Sequence, residues 1–196
     1  NKKNALRFVI EIARPYDGLA EAHFSIAHAA FMAGDRKLAN AQLDITDKLK
    51  PGWETAVLFR GYTISRSSPE KAASFYRSHL QKYAKSNGVR LEYAKSLTNL
   101  KDYDAAKEQF LKLVNSSLAS PEISLTVALL SIELNDKDLA EIYLNQALER
   151  GYENPPQIFI YLAKIYYEKN QFQDAIIYLN KIKSGGFFLE SKLLAA

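Results

Sequence analysis

The sequence predicts an all-α fold in which antiparallel helix hairpins stack into a solenoid. An alanine recurs at spacings of 34, 33, 34, 34 and 35 residues, and a larger side chain follows each alanine four residues later. From the second repeat onward, another small residue precedes the alanine by 11 or 12 residues. Because small side chains let two helices approach closely, each interval is predicted to hold one packed pair of helices. The recurring alanines are Ala5, Ala39, Ala72, Ala106, Ala140 and Ala175, and the preceding small residues are Ala27, Gly61, Ala94, Ala128 and Ala163.

Local start and stop signals set the limits of the helices. Ser68–Glu70 and Ser120–Glu122 each supply an N-cap serine, a proline at the first helical position and an early acid. Gly34-Asp35 and Asn135-Asp136 are predicted turns. The predicted helices are Asn4–Ala13, Leu19–Ala33, Arg36–Leu49, Trp53–Arg66, Pro69–Ala84, Asn87–Leu100 and Tyr103–Asn115, followed by a fifth hairpin that ends near Arg150, a sixth hairpin, and a short helix Phe188–Ala195.

The hairpins are predicted to form one domain over residues 1–196, with no linker and no low-complexity tract. Its parts are a partial repeat (1–18), repeats at about 19–52, 53–86, 87–120, 121–154 and 155–187, and the start of a further repeat (188–196). Both terminal helices carry apolar residues that no neighbour would cover. We therefore expect the natural protein to continue in both directions.

The repeat resembles the tetratricopeptide repeat (TPR) family. Its best matches are Leu162–Tyr166 with Ala175–Leu179, which pair a Leu-Ala step and an aromatic with Ala-x3-Leu, and Tyr103–Phe110. The resemblance implies a right-handed alpha-alpha superhelix in which the first helices of the hairpins line a concave groove. It also implies a protein-interaction scaffold and not an enzyme.

Two departures from the family pattern stand out. Trp53 lies at a helix start and not at the tryptophan position of the family, which Val57 occupies. In the third repeat the turn between the helices is one residue short, judging from the interval between Gly61 and Ala72.

Composition narrows the functional classes. The formal net charge is +4, but the basic residues are scattered and mostly lie beside acids, which argues against a nucleic-acid surface. The chain has no cysteine, and its longest apolar run, about six residues, is far shorter than the roughly 20 needed for a membrane span. Its one methionine is Met32, so it is expected to be a mature product or an excised fragment. The compartment stays open: cytoplasmic, or periplasmic and envelope-associated if a signal was removed.

No motif for catalysis, a cofactor or a metal is present in the sequence. The chain has three histidines, and His23 and His28 are five residues apart, which places them on different faces of a helix. The paired acids Asp102/Asp104 and Asp136/Asp138 flank helix starts, where they complement the helix dipole. No enzymatic function and no cofactor are therefore predicted.

A concave groove is the predicted partner-binding site. Projecting the repeat onto the first helices selects side chains that inter-helix packing does not use, mainly aromatic and aliphatic ones. Lys, Asn and Arg are not arranged there as in the carboxylate clamp of chaperone-binding TPR proteins. The predicted partner-binding residues are Phe24, His28, Phe31, Leu58, Tyr62, Arg66, Leu91, Lys95, Leu125, Leu129, Ile160, Lys164 and Tyr167.

Three functional hypotheses follow. The first is a scaffold that holds a peptide segment or a helix of another protein in this apolar groove. The second is a structural solenoid that self-associates. The third is an accessory arm of a larger enzyme or of an envelope-export protein.

Overall fold

The computed structural model describes residues 2–195, and within them it contains only helices and the turns that join them. The predicted all-α class is thus confirmed. The residues form two compact units: unit 1 ends at Ser96, and unit 2 begins at Leu97. That the whole chain is one continuous solenoid stays a prediction.

Unit 1 contains two complete hairpins, α2–α3 and α4–α5, preceded by a single helix, α1. Successive helices from α1 to α5 pack against each other, and a short 3-10 turn at Arg14–Tyr16 follows α1. The helices are α1 (Lys2–Ala13), α2 (Ala20–Ala33), α3 (Arg36–Leu49), α4 (Glu54–Ser65), α5 (Pro69–Lys82) and α6 (Asn87–Asn99), the last of which contains the boundary between the units.

Unit 2 contains the hairpins α8–α9 and α10–α11, preceded by α7 and followed by α12. Each helix from α7 to α12 packs against the next one along the chain. The helices are α7 (Tyr103–Val114), α8 (Pro121–Glu133), α9 (Lys137–Glu149), α10 (Pro155–Glu168), α11 (Phe172–Asn180) and α12 (Phe188–Ala195). Across both units the ends of the predicted helices agree with the structure to within two residues.

Most turns between helices share one geometry. A residue with positive φ ends the first helix, and an aspartate after it often caps the second. Asp35 and Asp136 accept hydrogen bonds from the Leu38 and Leu139 amides, at 2.9 and 3.2 Å. The α4–α5 turn has no positive-φ residue in the described chain and is capped by Ser68 instead. The predicted shorter turn is wrong: three residues separate α4 from α5, as they do α6 from α7 and α8 from α9, and it is α4 that ends earlier after its small residue. The positive-φ residues in these turns within hairpins are Gly34, Lys101, Asn135 and Asn170.

The predicted small residues lie where helices cross. The alanines from the second repeat onward are buried, and so are the small residues that precede them in the partner helices. Ala5 is the exception: its side chain is exposed, because no described helix covers that face of α1. The buried set is Ala39, Ala72, Ala106, Ala140 and Ala175, with Ala27, Gly61, Ala94, Ala128 and Ala163.

Gly61 of α4 lies directly against the ring of Tyr76 on α5. A Cβ atom placed on Gly61 would overlap ring atoms of Tyr76, which is itself buried. Burial also raises the pKa of the Tyr76 hydroxyl to about 12, and the nearby charge of Glu92 acts in the same direction. Glycine is needed at position 61 because Tyr76, four residues after Ala72, is a bulky side chain that fills the space a methyl group would need.

A polar clamp crosses three elements of unit 2. The Arg150 guanidinium, at the end of α9, donates to the Ser124 hydroxyl of α8 at 3.1 Å and to the Val114 carbonyl of α7 at 3.0 Å. Ser124 is fully buried, so the clamp satisfies polar groups that water cannot reach. Unit 2 is therefore tied together by hydrogen bonds as well as by its apolar core.

Replacing Gly61 with alanine should lower the free energy of unfolding by about 1–3 kcal/mol, because the new methyl group has to displace the buried Tyr76 ring. The measurement is urea denaturation followed by circular dichroism. Gly18→Ala is the matched control, since nothing lies near its Cβ position and its φ is not in the left-handed region. Equal stability of the two variants would contradict the close contact.

Candidate partner-binding surface

Five aromatic rings form a continuous row between α2 and α4 in unit 1. Trp53, at the N-cap of α4, contacts Phe24 at 5.0 Å between ring centroids, and Phe24 contacts Phe59 at 5.6 Å. Phe59 in turn contacts Phe31 at 5.6 Å, and Phe31 contacts Tyr62 at 5.8 Å. All four contacts are edge-on, a geometry that aromatic pairs favour. We call these five residues the aromatic row.

The rings of the aromatic row are accessible to solvent, and their mutual contacts restrict their movement. Four of the rings are partly buried, and Tyr62, at one end of the row, is 50% exposed. The exposed His28 ring lies against Phe59 at 5.2 Å and adds a polar edge. Rings that hold each other in place while keeping one face open to solvent are typical of binding surfaces, because little side-chain entropy is lost on association.

The Trp53 end of the row carries a neutralised charge pair. The Lys50 ammonium lies 4.5 Å from the Trp53 ring centroid and donates to the Glu21 carboxylate at 2.6 Å. That hydrogen bond lowers the pKa of the exposed Glu21 carboxyl. The opposite charges of Lys50 and Glu21 therefore cancel at this end of the row.

The opposite end of the row opens into a cleft between α2, α3 and α4. The cleft has a volume of about 180 Å³ and shares Phe31 with the aromatic row. Its polar wall includes exposed side chains of Arg36 and Asn40 on α3. The full lining is Phe31, Arg36, Ala39, Asn40, Thr63, Ile64 and Ser67.

An ion cluster centred on the largely buried Arg60 side chain links α4 to α3 beside the row. The Arg60 guanidinium lies 2.9 Å from the Asp44 carboxylate and 3.0 Å from that of Asp47. Burial raises the pKa of the Asp47 carboxyl, although the charge of Arg60 opposes the shift. Burial likewise lowers the pKa of His79 on α5. The cluster anchors the helix that presents Phe59 and Tyr62.

The predicted residues of unit 1 divide into two groups. Phe24, His28, Phe31 and Tyr62 come together at the aromatic row, and the exposed Arg66 follows Tyr62 by one helical turn. The other three lie elsewhere: Leu58 packs against the core around Val57 and Val89, Leu91 is half-buried, and Lys95 pairs with Glu92 at 2.8 Å.

In unit 2 the prediction was wrong for Leu125 and Ile160. Both side chains are buried in hydrophobic clusters, Leu125 with Leu144 and Ile160 with Leu179, so neither presents a surface to a partner. They lie on the same helical stripe as the inter-helix contacts, and the sequence period alone cannot separate the two roles.

The other three unit 2 predictions lie at or near the surface. Leu129 is half-buried against the same cluster as Leu125. Lys164 pairs with Glu190 of α12 at 3.1 Å. Tyr167 is exposed, with its ring edge-on to Phe172 at 5.3 Å. Their role in binding stays a prediction.

Sequence reasoning missed Trp53 and Phe59, two of the five rings of the row. A signal was available: Phe59, Tyr62 and Arg66 fall at i, i+3 and i+7, one face of a helix. Trp53 lies six residues, nearly two helical turns, before Phe59, and only the structure shows that its ring meets Phe24.

Among residues 2–195, no group of three or more acidic or histidine side chains is arranged to hold a metal ion. None of the described helices is long and apolar enough to cross a membrane.

Comparison with known proteins identifies the repeat. The sequence model of the tetratricopeptide repeat family matches residues 89–119 and 121–150, whereas no curated protein matches the chain. The C-terminal part of a TPR repeat-containing protein from Cytophaga hutchinsonii has a TM-score of 0.69 at 15% identity, over 84% of this chain and 68% of that one. PilF of Pseudomonas aeruginosa has a TM-score of 0.60 at 16% identity, over 93% and 92%.

A third solved structure is YrrB, described as a TPR protein with an unusual peptide-binding site. It has a TM-score of 0.67 at 14% identity, over 88% of this chain and 89% of that one. At these identities the likeness concerns the fold alone.

Phe59→Ala should destabilise the protein by about 3 kcal/mol, because the ring contacts Phe24, His28 and Phe31 and leaves a cavity when it is removed. Tyr62→Ala should cost about 1 kcal/mol, since it loses one aromatic contact and is half exposed. Thermal and urea unfolding of both variants checks this order. A reversed order would show that Tyr62, and not Phe59, supports the row.

Proposed function

The chain carries tetratricopeptide repeats, a fold that serves as a protein-interaction scaffold, and we propose that it binds a segment of another protein along the aromatic row. The observation that carries the proposal is the row itself: five rings in mutual contact, half-buried and accessible, on the first helices of two neighbouring hairpins. TPR proteins are generally scaffolds without catalytic activity, which agrees with this assignment.

Shape and chemistry favour an apolar peptide segment or a helix as the partner. The row offers ring faces and edges but, among its own five residues, no charged group. Partner side chains such as Leu, Phe or Met would replace water over the half-buried rings. YrrB, similar in fold, is described as having a peptide-binding site, which supports the same class of partner.

Tyr62 is the proposed anchor of the interface. Its ring is half exposed, contacts Phe31, and follows Gly61, where the backbone of α4 is packed tightly against Tyr76. Aromatic residues on a rigid base often dominate binding energy, with 2 kcal/mol or more lost on truncation to alanine. A helix held in place on one side can present such a ring without rearrangement.

The test begins with selection of binders from a display library of random 15-residue peptides against the full chain. The best peptide should bind Tyr62→Ala about 30-fold more weakly than the parent, which corresponds to about 2 kcal/mol. Ile142→Ala, which removes an equally exposed apolar side chain from α9, is the control and should bind like the parent. If no peptide is selected, or if only the control loses affinity, the aromatic row is not the binding surface.

Self-association is a second candidate, favoured by apolar side chains at both ends of the described chain. On α12, Leu189 and Leu193 are 69% and 71% exposed, and on α1, Phe8 and Ile12 are 63% and 54% exposed. Exposed apolar residues grouped in this way are unusual on a free protein surface. Burying them between copies would remove them from water.

Light scattering during size-exclusion chromatography checks this second candidate. The mass should rise with concentration, and Leu193→Asp should restore the monomer mass of 22.1 kDa. Ile142→Asp on α9 is the matched control and should associate like the parent. A parent that stays monomeric at every concentration would exclude self-association.

A further inference from the structure

We propose that the aromatic row binds its partner in one fixed direction, with acidic side chains of the partner held by Arg36, Asn40 and Arg66. This inference rests on the proposed function and adds the partner's charge pattern and orientation. The structural basis is an asymmetry of charge: two arginines without partners stand at the Tyr62 end of the row, whereas the charges at the Trp53 end cancel.

The two arginines are available. The side chains of Arg36 and Arg66 are exposed, and neither makes a hydrogen bond or an ion pair within the described chain. By contrast, the other cations near the row are engaged: Arg60 with Asp44 and Asp47, and Lys50 with Glu21. A carboxylate that reaches this end therefore meets guanidinium groups that do not have to give up an existing partner.

The acids closest in sequence to these arginines, Asp35 and Glu70, already accept hydrogen bonds at helix starts. Asp35 accepts the Leu38 amide hydrogen as the N-cap of α3, at 2.9 Å. Glu70 accepts a hydrogen bond from the Ser68 hydroxyl at 2.8 Å, and its pKa is lowered by its own backbone amide and then by that bond. Both stabilise helix starts, so both are held where they are.

The cleft beside Phe31 has the donors that a carboxylate needs. Arg36 supplies a guanidinium, and the Asn40 carboxamide, one turn further along α3, has no partner in the described residues. The Thr63 and Ser67 hydroxyls already donate to the carbonyls of Arg60 and Ile64. A volume of about 180 Å³ fits one acidic side chain, not a bulky group.

The Trp53 end and the Arg66 end of the aromatic row lie far apart. Trp53 and Arg66 stand at opposite ends of α4, about 20 Å apart at 1.5 Å per residue. A partner segment with apolar residues over the row and acids at one end would match both features at once. In the opposite orientation its acids would lie beside the Lys50–Glu21 pair, where Lys50 is already neutralised by Glu21 and offers no free cation.

A protein partner fits this pattern better than a nucleic acid. Nucleic acids need cations spaced along the whole surface to follow the phosphate backbone. Among the described residues that border the row, the unpaired arginines lie at one end, and Lys50 and Arg60 are paired with acids. The occupant is therefore an apolar segment with an acidic end.

The experiment uses the selected 15-residue peptide and a synthetic copy in which each Asp and Glu is replaced by Asn and Gln. The selected sequences should carry acids at one end. The amide copy should bind the parent at least tenfold more weakly than the acidic peptide does. The affinity of the acidic peptide for the double variant Arg36→Gln/Arg66→Gln should fall by a similar factor. The amide copy should bind parent and double variant equally. Arg77→Gln, an exposed arginine on α5, is the control and should change nothing.

The orientation of the bound peptide is measured by energy transfer from Trp53, the single tryptophan of the sequence. Energy transfer from Trp53 to a dansyl group should be stronger when the group is on the apolar end of the peptide than on the acidic end. If Tyr62→Ala weakens binding but the arginine variants and the amide copy do not, the inference fails and the proposed function stands. If Tyr62→Ala and the arginine variants all bind like the parent, both fail. Equal transfer from the two ends rules out a fixed direction.

Discussion

The close approach of paired helices at small residues is the constraint on which the rest of the structure depends. Where α2 crosses α3, Ala27 and Ala39 leave no room for larger side chains, and both are buried. At the crossing of α4 and α5, glycine replaces alanine because Tyr76 occupies the space that a methyl group would need. This packing determines how far apart neighbouring helices lie and which of their faces stay open.

The proposed binding surface follows from that packing. The first helices of two hairpins bring their open faces side by side, so that rings from α2 and α4 meet alternately along the aromatic row. Because the Arg60 cluster and the Gly61–Tyr76 contact hold α4 on its other sides, the row needs no ligand to keep its shape. A preformed surface of this kind loses little conformational entropy on binding.

Charge gives the surface a direction that apolar packing alone lacks. Lys50 and Arg60, two cations of unit 1 near the row, are paired with acids, and the exposed Lys50–Glu21 pair contributes little to stability. The arginines at the Tyr62 end are different because they are unpaired within the described chain and stand beside a cleft. Specificity between apolar partners would then depend on a few polar contacts at one end of the interface.

The sequence by itself determined the all-α class, the limits of most helices and the crossing points of the hairpins. It could do so because small residues, caps and turn residues act locally and recur in phase. The sequence also located Phe24, Phe31 and Tyr62 on the open face. Only the tertiary structure showed that Leu125 and Ile160 belong to the core and that Trp53 and Phe59 complete the row. Which side of a helix is covered depends on the angle of the neighbouring helix, and a 3.6-residue period fixes the stripe but not what packs upon it.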